Sequence, residues 1–321
     1  MLARLAENLF WAGRYIERAE DTARMVDVTY HGLLESPPAE VTAAWAQLLE
    51  VLHLSQAYGE RYGEVEAADV IRFLVLDETN PGSMLAAIAR ARENGRSVRE
   101  LVSLELWEAV NGLYLDLRAR DLEAEIGERP YELFSFVKRR CQMIVGVATE
   151  TMPRDDGWRF LTLGRMLERA EMTCRLLNVR FQQLVSSSAS MAFHPWVAVL
   201  KSASGVEAFR KAYRASMEPA HVVEFLLLSA DFPRSVLFAL QATEHQLVRL
   251  TDEGGVGARA RRLIGRLRAS LEYTGVDELM GEGLHEFLDE VQAGTLAVAD
   301  AVAAEYFQHR HAGGFHTVAA T

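Results

Sequence analysis

FWAGRYIERAEDTARMVDV, residues 10–28, and LTLGRMLERAEMTCRLLNV, residues 161–179, write one charged helix twice. Gly13, Arg14, Glu17, Arg18, Ala19, Glu20, Thr22, Arg24 and Val28 match Gly164, Arg165, Glu168, Arg169, Ala170, Glu171, Thr173, Arg175 and Val179 at an offset of 151. On a wheel at about 100° per residue, Leu5, Ala12, Ile16, Ala19, Ala23 and Val26 of the first copy form an apolar stripe that faces a core. Gly13, Glu17, Glu20 and Arg24 fall at i, i+4, i+7 and i+11 along another face, with Arg14 and Arg18 beside them. That spacing is helical, and each copy gathers three arginines and two glutamates into one patch.

The same period runs through most of the chain. Helices are predicted over about 2–31, 41–58, 64–76, 82–122, 130–152, 156–188, 205–215, 219–229, 233–251, 256–273 and 284–310. Breaks fall at Ser36-Pro37-Pro38, Asn80-Pro81-Gly82, Pro153 to Gly157, Glu253-Gly254-Gly255 and the glycine-rich segment after His311. The fold class is all-α. A second match, FLVLDETNPGSM from Phe73 against FLLLSADFPRSV from Phe225, keeps the order at an offset of 152. The simplest reading is a helical bundle built from two tandem, sequence-related halves of about 150 residues, an ordinary domain size. Their expected bounds are 1–152 and 153–311, followed by a flexible tail at 312–321. The period is too long for a solenoid of 20–50-residue repeats.

Composition narrows the function. The chain has 321 residues, half of them apolar and a quarter charged, which is ample for a buried core. A formal net charge of −11 disfavours nucleic acid and anionic membranes as partners. Apolar runs fall far short of the roughly 20 residues that span a bilayer. Arg4, Glu7 and Arg14 interrupt any secretory hydrophobic region. Cys141 and Cys174 are the only cysteines and sit in helical apolar patterns, as core thiols do. A cytoplasmic protein is expected.

The repeated patch has two readings. As a solvated face, the Glu20–Arg24 pair contributes roughly 0.2–0.5 kcal/mol. Such a face tolerates Lys, Gln or Asp, yet arginine is kept three times and glutamate twice. Arginine differs from lysine where its planar fork matters, in bidentate contacts to carboxylate or phosphate and in buried pairs. Glycine at 13 and 164 costs about 1 kcal/mol in a helix interior, which points to close approach of a helix or ligand. A buried network is therefore expected. It is either structural, pairing Glu17 with Arg169 and Glu168 with Arg18 about a pseudo-twofold, or a binding site for a ligand or partner. The candidate binding residues are Arg14, Glu17, Arg18, Glu20, Arg24, Arg165, Glu168, Arg169, Glu171 and Arg175.

A second polar stretch, ARARENGRSVRELVSLELWEAVNGLY at 89–114, reads as one helix. Arg92, Arg96, Arg99 and Ser103 share a stripe, and Glu93, Glu100, Trp107 and Asn111 the next. The counterpart EHQLVRLTDEGG keeps almost none of these residues. Arg92, Arg96, Arg99 and Glu100 are thus further candidates for anion or partner contacts, against a solvated helix with internal ion pairs. The preceding Asp77 to Ser83 segment reads as a capping turn rather than a cation loop.

AENLFWAGRYIERAEDTARMVDV, ARENGRSVRELVSLELWEAVN, DDGWRFLTLGRMLERAEMTCRLLNV and FLLLSADFPRSV together resemble the bacterial alpha-E family, an all-helical domain with a Glu-Arg motif. The resemblance covers nearly the whole chain, and the motif falls on Glu17-Arg18 and Glu168-Arg169. It implies companionship with circularly permuted ATP-grasp proteins, with transglutaminase-like cysteine peptidases encoded nearby. That context implies ATP-grasp-linked amide or peptide ligation. The arginine patches add a small anionic or peptide ligand as a candidate.

Other chemistry finds little support. No GxxxxGK[ST], strand-borne GxGxxG or GxSxG occurs, so no nucleotide or other cofactor and no catalytic residue is assigned. Glu218–His221 and Glu282–His285 have ExxH spacing, and Glu17 and Glu168 would complete a di-metal bundle. Pro219 and Gly283 place both ExxH segments at helix starts, so no metal is expected. Arg259, Arg261, Arg262, Arg266 and Arg268 read as a solvated basic face. The expected function is an auxiliary helical protein that binds an ATP-grasp enzyme or its carboxylate-bearing substrate. The alternatives are a stand-alone enzyme on peptide or amino-acid amides, with Glu17 or Glu168 as base, and a purely structural assembly protein.

Overall fold

The computed structural model describes residues 2–307 apart from 35, 187–192, 215–216, 252–254 and 282. Among the described residues it has sixteen α-helices and no strand. These are α1 (Ala3–Gly32), α2 (Pro38–Val51), α3 (Ser55–Tyr62), α4 (Ala67–Val75), α5 (Met84–Ser97), α6 (Leu104–Arg118), α7 (Leu122–Glu128) and α8 (Pro130–Thr151). They continue as α9 (Asp156–Ser186), α10 (Phe193–Ser202), α11 (Val206–Tyr213), α12 (Pro219–Val223), α13 (Val236–Leu250), α14 (Ala258–Glu272), α15 (Val276–Gly281) and α16 (Leu284–Val302). The tail expected at 312–321 lies outside the described residues.

Local chemistry sets the breaks. Ser83 caps α5 by accepting from Ala86 N at 3.2 Å, and Ser235 caps α13 from Phe238 N at 3.1 Å. Asn80 donates to Phe73 O at 3.0 Å and accepts from Gly82 N at 2.9 Å. The Asp77 to Ser83 segment is thus the expected capping turn. Pro38, Pro130 and Pro219 each stand in a first turn, where no donor is lost.

The single helix expected over 82–122 is corrected to two, α5 and α6, with a turn at 98–103. Ser97 Oγ turns back to Glu93 O at 3.0 Å, and Ser103 caps a new helix by accepting from Leu106 N at 3.1 Å. The stripes drawn through 92–111 therefore do not exist as continuous helix faces. The expected 41–58 helix also divides, into α2 and α3. Helices α7, α10 and α15 were not anticipated. The expected helices 219–229 and 284–310 turn π-helical at Glu224–Leu228 and Ala303–Phe307.

One contiguous hydrophobic cluster runs from Ala6 to Phe307. Its axis is the α1–α9 pair, the most extensive helix contact among the described residues. Helix α1 packs on α5 and α8, α5 on α6, and α6 on α8. Helix α9 packs on α13 and α16, α13 on α14, and α14 on α16. No described helix is long and apolar enough to cross a membrane.

Two glycines set the crossing. A Cβ on Gly13 would overlap Leu161 O, and a Cβ on Gly164 would overlap Phe10 O. Backbone meets backbone at both places, so any side chain there would force α1 and α9 apart.

Candidate functional site: the charged seam between α1 and α9

Close approach at the glycines brings the next turn of each helix within arginine reach of the other. Arg169 forks Glu17, with Nε to Oε1 at 2.6 Å and Nη2 to Oε2 at 2.9 Å. Arg18 forks Glu168 reciprocally, with Nε to Oε1 at 2.6 Å and Nη2 to Oε2 at 3.1 Å. These are the two pairings read from the sequence. Arg14 adds Nε to Glu168 Oε2 at 2.6 Å and Nη2 to Glu171 Oε2 at 2.8 Å. Arg175 donates to Glu171 at 3.3 Å, and Arg24 donates to Glu20.

Most of this seam is hidden from water. Glu17, Glu20, Arg14, Arg24, Glu168, Arg169 and Glu171 are all buried. Arg18 and Arg175 reach the edge, with 23% of each side chain exposed. Aromatic rings cover one flank. Arg14 lies over Phe10 and Trp11, and Arg18 over Tyr15, at 5.6–5.9 Å from the ring centres.

Residues that differ between the two copies complete the network. Arg234 donates to Asp21 Oδ1 at 2.9 Å, Glu20 Oε1 at 2.7 Å and Glu17 Oε1 at 3.3 Å. Gln142 from α8 donates to Glu20 at 3.1 Å. Backbone oxygens of the turn before α13 accept from Arg169 and Thr173 at 2.9 and 3.0 Å. Sequence reading missed Asp21, Gln142 and Arg234 for one reason. At offsets of 151 or 152 they face Met172, Ala293 or Gly294, and Gly82, so matching the copies hides them.

Electrostatics follow from burial and pairing. Burial raises the Glu17 carboxyl, but Arg169, Arg234 and Arg165 outweigh it and hold the group well below the usual carboxylate range. Burial likewise opposes Arg18 and Arg14 at Glu168, which is held down to about 2. Asp21 goes the other way. Burial, with Glu17 and Glu20 nearby, raises it to about 7 against the pull of Arg234 and Arg24. Burial lowers Arg165 to about 10 against the pull of Glu17, at 3.6 Å, and Glu20, and among the described residues its Nε has no hydrogen-bond partner.

The structure gathers Arg14, Glu17, Arg18, Glu20, Arg24, Arg165, Glu168, Arg169, Glu171 and Arg175 into this one seam. It does not bring Arg92, Arg96, Arg99 and Glu100 there. Arg92 donates to Asn111 at 2.9 Å and to Glu93 at 2.5 Å, and Arg96 donates to Glu93 at 2.9 Å. Arg99 and Glu100 stand exposed on the turn between α5 and α6.

Cys141 and Cys174 are buried, unpaired thiols, and burial raises both. Glu218 precedes a helix that starts at Pro219, and His285 Nδ1 lies 2.6 Å from Asn178 Oδ1. Glu282 lies outside the described residues. Among the described residues no group of three or more His, Cys, Asp or Glu is arranged to hold a metal.

Relatives match nearly the whole of this chain within longer chains. An uncharacterized protein of Mycobacterium tuberculosis strain H37Rv is 26% identical over 325 residues, covering 94% of this chain and 36% of its own. Uncharacterized proteins of Mycobacterium bovis and of M. tuberculosis strain CDC 1551 match to the same extent. The chain thus spans about a third of the length of the curated relatives it matches. No solved structure matches it. The family model described as a predicted alpha-helical domain with a conserved ER motif matches residues 1–307, and the chain belongs to that Alpha-E family.

Proposed function

We propose that this Alpha-E chain is a non-catalytic, cytoplasmic helical subunit of an ATP-grasp-linked amide- or peptide-ligation system. It holds a partner enzyme, or that enzyme's carboxylate-bearing substrate, in place. The observation that carries the non-catalytic reading is that every carboxylate of the repeated motif is buried against a guanidinium. A general base at neutral pH needs a carboxyl raised towards 7. Glu17 and Glu168 are pushed the opposite way, and Asp21, which is raised to about 7, is buried against Arg234 beside a cavity of only about 10 Å³. The ATP-grasp partner itself rests on the family resemblance, and the longer relatives support a helical region that works beside other sequence.

In this reading the seam is the rigid part, and partner contacts lie at its accessible edge and beyond. Arg18 and Arg175 present guanidinium edges there, and Arg96, Arg99 and Glu100 form an exposed charged corner. The chain is also inferred to be two tandem units, 1–152 and 153–311, sharing one core. Supporting this, α1, α5, α6 and α8 pack in the same order as α9, α13, α14 and α16, and the glycine contacts are reciprocal at an offset of 151.

The test is co-purification with a circularly permuted ATP-grasp protein and a transglutaminase-like peptidase encoded beside it. Capture of the ATP-grasp protein, reduced by Arg96→Ala/Arg99→Ala without loss of melting temperature, supports the reading. Turnover of peptide or amino-acid amides by the isolated chain overturns it. The competing structural role predicts that seam substitutions lower the melting temperature and leave ligase activity intact.

A further inference from the structure

The polar line of α1 does not stop at Arg24. Asp27 and His31 continue it at the same three- and four-residue steps, to the carboxyl end of the helix. There the line runs into a groove of about 580 Å³, between the end of α1, α2, the start of α8 and α10. Its size falls in the usual range for small-ligand sites, roughly 300–1,000 Å³. The walls include Val28, Leu33, Val197, Tyr131 and Lys201.

Asp27 is 7% exposed, and its two oxygens differ. Oδ2 accepts from Lys138 Nζ of α8 at 2.6 Å. Among the described residues Oδ1 has no hydrogen-bond partner, although it is buried and its residue lines the groove. His31 Nδ1 stands 3.1 Å from Oδ1, within ion-pair reach when protonated, but makes its hydrogen bond to Asp27 O at 2.9 Å. A buried carboxylate oxygen without a donor is costly. The position 151 residues on shows the closed alternative. Asn178 donates to Asp289 at 2.7 Å and lies 2.6 Å from His285 Nδ1, so both ends of its amide are engaged.

The groove therefore offers a fixed acceptor for an N–H donor, next to the negative end of the α1 dipole, which favours a cation. Lys201, exposed on the groove wall, offers a complementary positive charge. The aliphatic lining residues provide apolar area for a side chain.

We propose that this groove binds a zwitterionic amino acid or short peptide with an aliphatic side chain, its ammonium on Asp27 Oδ1 and its carboxylate towards Lys201. The site is separate from the seam and requires no ATP-grasp partner, so it is tested on the isolated chain. Calorimetric titration of the full-length protein uses L-leucine, L-leucyl-L-leucine, L-leucinamide and N-acetyl-L-leucine. Saturable binding of either zwitterion is expected, and which of the two binds more tightly distinguishes a free amino acid from a peptide. N-acetylation removes the ammonium and lowers affinity at least tenfold. Asp27→Asn does the same. Lys201→Ala, an exposed change with no fold to disturb, weakens the zwitterion several-fold and leaves L-leucinamide unaffected. Absence of binding by both zwitterions overturns the proposal, as does equal affinity for N-acetyl-L-leucine or an unchanged affinity in both variants.

Discussion

Replacing Glu168 with glutamine tests whether the seam is a buried ion network. Glutamine keeps the shape but puts an NH2 where one oxygen accepted, so a donor faces the donors of Arg14 or Arg18. The lost charge also leaves two guanidiniums partly unpaired in a region that already holds more arginines than acids. Removing one partner of a buried pair costs about 3–5 kcal/mol. Arg14 keeps Glu171 at 2.8 Å and Arg18 regains some water, which places this case near about 3 kcal/mol. Against a total stability of about 5–15 kcal/mol that is a large fraction. Urea unfolding followed by helical circular dichroism reads it as a midpoint lowered by on the order of 1 M. The pH dependence adds a second check. Glu168 is held at about 2 when folded against an ordinary 4.5, so its contribution is present above 4.5 and disappears as pH falls towards 2. The gap between wild type and Glu168→Gln should close over that window. A gap below about 1 kcal/mol at pH 7, the scale of an exposed pair, would refute the buried seam, as would a gap unmoved by acid.

Gly13→Ala drives a methyl into Leu161 O and should cost about 3 kcal/mol or more, seen as a fall in melting temperature. Gly32→Ala has nothing within 4 Å and should leave stability within about 1 kcal/mol. Asp21 binds its proton more tightly when folded, so wild-type stability should decline as pH rises from about 4 to about 7. Asp21→Asn should flatten that decline, and an identical slope in denaturation curves would count against the raised carboxyl. Arg99→Ala, on the exposed turn after α5, should change stability by no more than about 0.5 kcal/mol by urea titration.

Period and repetition made the seam legible because its residues recur in both copies at helical spacing. Both the glycines and the Glu17–Arg169 and Glu168–Arg18 pairings could be read that way. Arg234 was hidden because Gly82 stands at its counterpart, and Asp21 because Met172 does. The break between α5 and α6 was hidden for a different reason. Residues 89–114 hold helical apolar spacing throughout, and only side-chain capping by Ser103 marks the new start. A serine in such a run reads equally as a helix surface residue until the chain is seen to turn. Asp27 was invisible as a ligand group because its open oxygen depends on Lys138 and α10, which lie far away in sequence.

The adjacency of Glu and Arg has a geometric cause. Neighbouring helix residues point about 100° apart, so one copy can set its carboxylate on one side of the contact line and its guanidinium on the other. Each helix then both gives and receives a fork, and a change at one position strands groups on both. This explains why arginine at 18 is not interchangeable with lysine. Arg18 and Arg175 provide a matched comparison, since their side chains are equally exposed at 23%. Arg18 meets both oxygens of Glu168 at 2.6 and 3.1 Å, whereas Arg175 meets one oxygen of Glu171 at 3.3 Å. Lysine carries a single nitrogen and cannot reproduce the fork. Arg18→Lys should therefore cost about 1–3 kcal/mol, and Arg175→Lys less than about 0.5 kcal/mol, by urea titration under identical conditions. Equal losses at the two sites would mean that exposure alone, rather than bidentate geometry, sets the value of an arginine in the seam.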